Sequence, residues 1–218
     1  MTPDLAAELQ RRLGSDLAVG TIPIGAAEPP HPDEEEPMVR MRAGRRAEFL
    51  AGRTAVRQAL RALALPPLGI PMGPDRAPIW PKGVIGSIAH DERDAVAVVG
   101  HVSKHLCLGI DLEPAAPLPP DVSREVLTRG EPNGPGCESR AVFAVKETVF
   151  KAVYPLIGTI WPYTAVTVQL MQIDETYEAT LNRPAGPFPA GTVVQGPILI
   201  RQGVILAGLA LKRMTNMT

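Results

Sequence analysis

The sequence predicts an α+β fold in which two similar α/β halves, each a long helix packed on a small antiparallel sheet, form a pseudo-dimer within one chain. Three observations predict it. A long helix followed by short strands occurs twice along the chain. The two helical patterns also align: placing Phe49 on Phe143 places Arg53 on Glu147, Thr54 on Thr148 and Arg57 on Lys151. Finally, 218 residues suit one large domain or two small ones, and halves of this size gain by burying surface against each other. The halves divide at residues 1–106 and 107–218. A cleft between them is expected to hold the ligand, with a basic wall from one helix and an acidic wall from the other.

Residues 4–13 pattern as a short helix. The stretch from Gly25 to Pro37, with its prolines and the acidic run Asp33 to Glu36, reads as an exposed, solvated loop rather than a metal site. The first strong helix covers about 44–64, with Phe49, Val56, Leu60 and Leu63 on one stripe. Arg46, Arg53 and Arg57 line another stripe, which by itself reads as a solvated basic face. Pro66 and Pro67 stop this helix. After a Gly/Pro-rich loop come the strand-like runs VIGSIAH, AVAVVG and LCLGIDLE. Residues 114–137 cross the surface with a helical turn in SREVLT, and the second strong helix covers about 138–155, closed by Pro155. TAVTVQL, YEATL and VILAGLAL supply three further strands.

Composition is that of an ordinary soluble domain, 45% hydrophobic and 21% charged. A net charge of -1 excludes a general electrostatic attraction to nucleic acid, so any anion site must be local. The two cysteines, Cys107 and Cys137, make neither a disulfide framework nor a zinc site by themselves. The N-terminus carries no apolar signal-peptide core, and no apolar run reaches the roughly 18 residues of a membrane span. The expected location is the cytoplasm.

The chemistry-bearing residues fall in three stretches. In LGIDLE, Asp111 and Glu113 are two apart, so an extended strand points both the same way. Two like charges on one face repel unless solvent or a cation stands between them. Alone, the pair reads as a strand end entering water. A third carboxylate, Glu147, arriving from the second helix would instead make a set of hard oxygen ligands suited to Mg²⁺. Glu147 and Lys151 are four apart, which fits either a surface ion pair or a lysine turned toward phosphate. In GSIAH, His90 is either a hydrogen-bonded structural residue or a phosphate donor, with Gly86 allowing close backbone approach.

WPKGVIGSIAH, LGIDLE and FAVKETVFKA, in this order, resemble the three signature segments of the 4′-phosphopantetheinyl transferases, in particular the Sfp-like and EntD-like branch. RRAEFLAGR and APIWP are similar to that branch's N-terminal signatures, and the resemblance covers roughly residues 44–211. It implies the two-half fold and a reaction in which coenzyme A gives its 4′-phosphopantetheine arm to a serine of an apo acyl or peptidyl carrier protein, releasing adenosine 3′,5′-bisphosphate. It further implies that Asp111, Glu113 and Glu147 hold Mg²⁺ on the diphosphate, with Glu147 also the candidate base for the serine. Lys151 and His90 would contact phosphate, and Arg45, Arg53 and Arg76 the 3′-phosphate and adenine side of coenzyme A. The chain departs from the family at Ala89, where Ser or Thr usually precedes the motif histidine; Ser87 or backbone N–H groups would take over that contact. Two other readings share these residues: an Mg²⁺-dependent hydrolase of a nucleotide diphosphate derivative, and a non-catalytic module that binds coenzyme A or a carrier protein. A two-half chain argues for a monomer, since the second half replaces a partner subunit.

Overall fold

The structure is a computed structural model that describes residues 3–213. The chain forms two compact units. One runs up to Leu108 and takes in the chain again from Leu211; the other is Gly109–Ala210.

The first unit begins with α1 (Pro3–Leu13), β1 (Ala18–Pro23), α2 (Pro32–Met38) and the 20-residue α3 (Ala43–Ala62). β2 (Val84–His90) and β3 (Asp94–His101) follow, and β4 (His105–Pro114) starts here. The sheet order is β1-β3-β2, antiparallel throughout, with Ala18 opposite Val99 and His90 opposite Ala95. The predicted apolar stripe of α3 lies against this sheet: Ala55, Val56, Ala59 and Leu60 pack with Ala18, Ala97, Val99 and Ile70. Contact is closest at Gly20, where a Cβ would sit 2.1 Å from the Ala55 carbonyl oxygen. Only glycine permits that approach of strand to helix.

Two expectations are corrected here. The acidic run is helical, not loop: Pro32 opens α2, the His31 ring accepts from Asp33 N, and Glu34 returns a bond to His31 N. The basic stripe is solvated only at Arg46, which is exposed. Arg53 and Arg57 are 7% and 4% exposed, and Arg57 donates to both oxygens of the fully buried Glu34 at 2.9 Å. Glu34 also accepts from Ile70 N at 3.0 Å, so an acid from the supposed loop satisfies both a buried cation and a buried amide. The opposite charges lie 23 positions apart in sequence, beyond the reach of any helical spacing rule.

The second unit contains the end of β4, α4 (Pro120–Val126), the 20-residue α5 (Glu138–Ile157), β5 (Val166–Met171), β6 (Thr176–Leu181), β7 (Val193–Arg201) and β8 (Val204–Lys212). Its sheet order is β4-β8-β7-β6-β5, and β5 to β8 pair antiparallel. The device seen at Gly20 recurs: a Cβ on Gly109 would lie 2.1 Å from the Thr148 carbonyl oxygen of α5. α5 runs past Pro155 and ends at Gly158, whose φ of 62° is left-handed. A proline in the last turn removes only one hydrogen bond, so it does not stop the helix where the sequence suggested. β1 and β7 were not foreseen. β7 carries Gly196 and Pro197; Pro197 is tolerated because β7 pairs with β6 up to that residue and with β8 from Ile198 onward. Among the described residues no helix is long and apolar enough to cross a membrane.

Candidate active site

In the second unit β4 delivers two carboxylates and α5 a third. Asp111 is 4% exposed and Glu113 half-buried at the end of the strand. Lys151 Nζ donates to Asp111 Oδ1 at 2.5 Å, so the strand and the fourth turn of the helix meet through opposite charges. Asp111 Oδ2 is buried and has no hydrogen-bond partner. Arg140, on the first turn of α5, donates to Glu113 Oε2 at 2.9 Å and to the carbonyls of Ala116 and Pro117. Burial pushes the Glu147 carboxyl above its ordinary range, Lys151 pulls it back, and Asp111 raises it again. Burial and the Asp111 charge likewise raise Glu113, against the pull of Arg140. Each acid therefore feels the next, and the three are close enough to interact.

Two carboxyls raised by the charge of Asp111, which itself carries an orphaned buried oxygen, form a place short of positive charge. Three hard carboxylates of this kind fit Mg²⁺. As the side chains stand, no three His, Cys, Asp or Glu groups among the described residues converge as ligands of one ion. Lys151 and Arg140 occupy one oxygen each of Asp111 and Glu113.

Sequence reasoning missed two contributors. Arg140 stands seven and eleven positions before Glu147 and Lys151, and that shared helical stripe was the available signal. Tyr163, in a 3₁₀ turn at Tyr163–Ala165, lies near enough to feel Glu147: burial and the Glu147 charge push its phenol up to about 12. No spacing rule reaches from the helix to that turn. Lys146 turns the other way: it is 2% exposed and pairs with Glu131 at 2.8 Å.

In the first unit Arg45 and His90 meet, with Arg45 Nη1 2.6 Å from His90 Nε2. An arginine nitrogen can only donate, so in this contact His90 Nε2 stands as the acceptor. Glu48 stands beside both, 3.1 Å from Arg45 Nη1 and 3.7 Å from His90 Nε2. Arg53 donates through Nε to Ile70 O at 2.9 Å, with its guanidinium 4.1 Å over the Phe49 ring. Burial pushes Arg53 down to about 10, and the nearby Arg45 and Arg57 charges add to this against Glu34. Arg76 is exposed at a turn closed by Gly73 N to Ala77 O, with its own φ at 68°. No hydrogen bond or ion pair among the described residues joins it to Arg45, Arg53 or His90. Ala89 is buried in β2 opposite Val96, so its side chain faces the interior and only its backbone could meet a ligand.

Comparison with known proteins shows the family of the chain. The chain is 32% identical over 196 residues to the 4′-phosphopantetheinyl transferase Npt of Nocardia iowensis, spanning 83% of this chain and 88% of that protein. The chain belongs to the 4′-phosphopantetheinyl transferase family. It is also 35% identical over 177 residues to the 4′-phosphopantetheinyl transferase Svp of Streptomyces mobaraensis, spanning 77% of this chain and 68% of that protein. The family model described as the 4′-phosphopantetheinyl transferase N-terminal domain matches residues 33–100. Enterobactin synthase component D of Salmonella typhimurium is 36% identical over 119 residues, half of this chain and 48% of that protein. This transferase therefore has relatives on the branch that its motifs resemble.

Proposed function

We propose that this transferase moves the 4′-phosphopantetheine arm of coenzyme A onto a serine hydroxyl of an apo acyl or peptidyl carrier protein. The observation that carries the reading is the trio Asp111, Glu113 and Glu147 beside Lys151, in a chain of this family. The serine oxygen bonds to the phosphorus that bears the pantetheine arm. The bond from that phosphorus to the bridging oxygen breaks, and adenosine 3′,5′-bisphosphate leaves with the electron pair. Glu147, kept at a raised pKa by burial, accepts the serine proton directly or through a water. Lys151 supplies positive charge where it develops on the phosphoryl oxygens. Asp111, Glu113 and Glu147 would hold Mg²⁺, which when bound polarises the diphosphate. Arg140 holds Glu113 in place by two-sided anchoring to the carboxylate and the chain after β4.

From the first unit we assign Arg45, Arg53 and His90 to the phosphates and adenine side of coenzyme A, with Arg76 reaching from its turn. Arg45 and His90 already stand side by side, and an anion would compete with Glu48 for them. The relation to enterobactin synthase component D favours a carrier from siderophore or other secondary-metabolite assembly. We further infer a monomer acting in the cytoplasm, with the two helix-on-sheet units as similar halves. The use of Gly20 and Gly109 in equivalent helix–strand contacts supports this reading.

The test is incubation with coenzyme A, MgCl₂ and a panel of apo carrier proteins, followed by intact-mass measurement. A carrier gaining one phosphopantetheine, with the gain lost in Glu147→Ala and on chelation, is the expected result. Coenzyme A cleaved with every carrier unmodified would point to the hydrolase, and coenzyme A bound but intact to a binding module.

A further inference from the structure

α3 carries five arginines and a single acid, Glu48. Arg57 and Arg61 pair with carboxylates from earlier in the chain, Glu34 and Glu28. Arg46 and Arg53 donate to the carbonyls of Met38 and Ile70. Arg45 is the arginine that Glu48 meets. Arg45 Nη1 donates to Glu48 Oε2 at 3.1 Å and stands 2.6 Å from His90 Nε2. Glu48 Oε2 is itself 3.7 Å from His90 Nε2, so one carboxylate oxygen faces both groups. Both hydrogens of that guanidinium nitrogen are thereby engaged. The side chains of Arg45, Glu48 and His90 are 50%, 30% and 31% exposed, so an anion in solution can approach all three. An exposed pair three positions apart on a helix is held loosely, and Glu48 can turn away without disturbing the packed face of α3.

A phosphate bound by Arg45 and His90 needs the hydrogens that Glu48 holds. While the carboxylate is in place the pair is not competent for the anion, and the apparent affinity falls by the competent fraction. We propose that Glu48 is the resident counter-ion of the coenzyme A phosphate site: it occupies Arg45 when no ligand is bound, yields it to a phosphate, and returns as adenosine 3′,5′-bisphosphate leaves. This rests on the assignment of Arg45 and His90 to coenzyme A phosphate made under the proposed function. The residue does two things there. In the unliganded protein it offsets the crowding of positive charge around Arg45, which Arg53 also feels. In turnover it weakens the hold on substrate and product alike, and so favours release of the spent nucleotide.

Glu48→Gln keeps the length of the side chain and removes its charge. Titration calorimetry with MgCl₂ present, at low and at high salt, gives Kd for coenzyme A and for adenosine 3′,5′-bisphosphate in wild type and variant. The expected result is that both Kd values fall by at least about threefold at low salt in Glu48→Gln. The difference should shrink at high salt, where exposed charges are screened. Arg45→Met removes the group for which Glu48 competes. In that background Glu48→Gln should move either Kd by less than about twofold, which separates competition for Arg45 from a change in overall charge or fold. Kd values unchanged or raised in Glu48→Gln overturn the proposal and leave the coenzyme A reading standing. Equal tightening with and without Arg45 overturns it as well. A wild type that binds neither ligand defeats the assignment of Arg45 and His90 to phosphate, and the proposal with it.

Discussion

Replacing Lys146 with Met should destabilise the second unit more than any surface change. Lys146 Nζ donates to Glu131 Oε2 and to Val126 O, each at 2.8 Å, and both charged side chains are 1% exposed. Glu131 in turn accepts from Thr128 N at 2.7 Å and from Val168 N at 2.8 Å. One pair therefore ties α5 to the chain after α4 and to β5. Removing one partner of a buried pair leaves the other charge uncompensated and costs about 3–5 kcal/mol. For a chain of this size each kcal/mol lowers Tm by about 2–4 °C, so Lys146→Met should lower it by about 6–20 °C. Lys146→Met with Glu131→Gln removes both charges and should recover part of the loss, with a coupling of about 1–3 kcal/mol. Calorimetry and urea midpoints on wild type, both singles and the double measure this. pH supplies a second leg. Burial lowers the Lys146 pKa, against the raising effect of Glu131, so between the folded value and 10.5 the unfolded chain binds more protons. Stability therefore rises with pH across that window in the wild type and does so less in Lys146→Met. Singles that shift Tm by less than about 2 °C, or a double that is strictly additive, would refute the reasoning.

Glu147→Gln should lower the transfer rate by about 100-fold or more if Glu147 is the base, as read by carrier mass gain over time. The same change should raise the metal-free Tm at pH 7, because a carboxyl with a raised pKa costs stability once ionised; the gain should shrink as pH falls toward 4.5, followed by calorimetry at several pH values. Gly109→Ala should cost at least about 1–3 kcal/mol and reduce soluble yield, because its Cβ would lie 2.1 Å from the Thr148 carbonyl oxygen; expression and melting of the variant check this. In thiol titration Cys137 should react in the native protein, whereas Cys107, buried and pushed up to about 11, should react only after denaturant is added.

The sequence by itself determined the two long helices, the strands β2 to β6 and β8, and the order of the motifs. Each of these rests on local periodicity, and periodicity is written in neighbouring residues. It also determined that Asp111 and Glu113 share a face, because strand alternation leaves no other choice. Tertiary structure decided what those charges meet. Glu34 looked like one of four solvated acids until Arg57 and Ile70 N were placed against it. Arg53 and Arg57 looked like a wet basic face for the same reason. Lys146 and Lys151 are close neighbours on one helix, yet Lys146 pairs with Glu131 in the interior while Lys151 holds Asp111. Residues 15 to 40 positions apart make these pairs, and their energies depend on burial and distance. Neither quantity exists until the chain has folded, so the chemistry of each residue was legible in the sequence while its partner was fixed only by the packing.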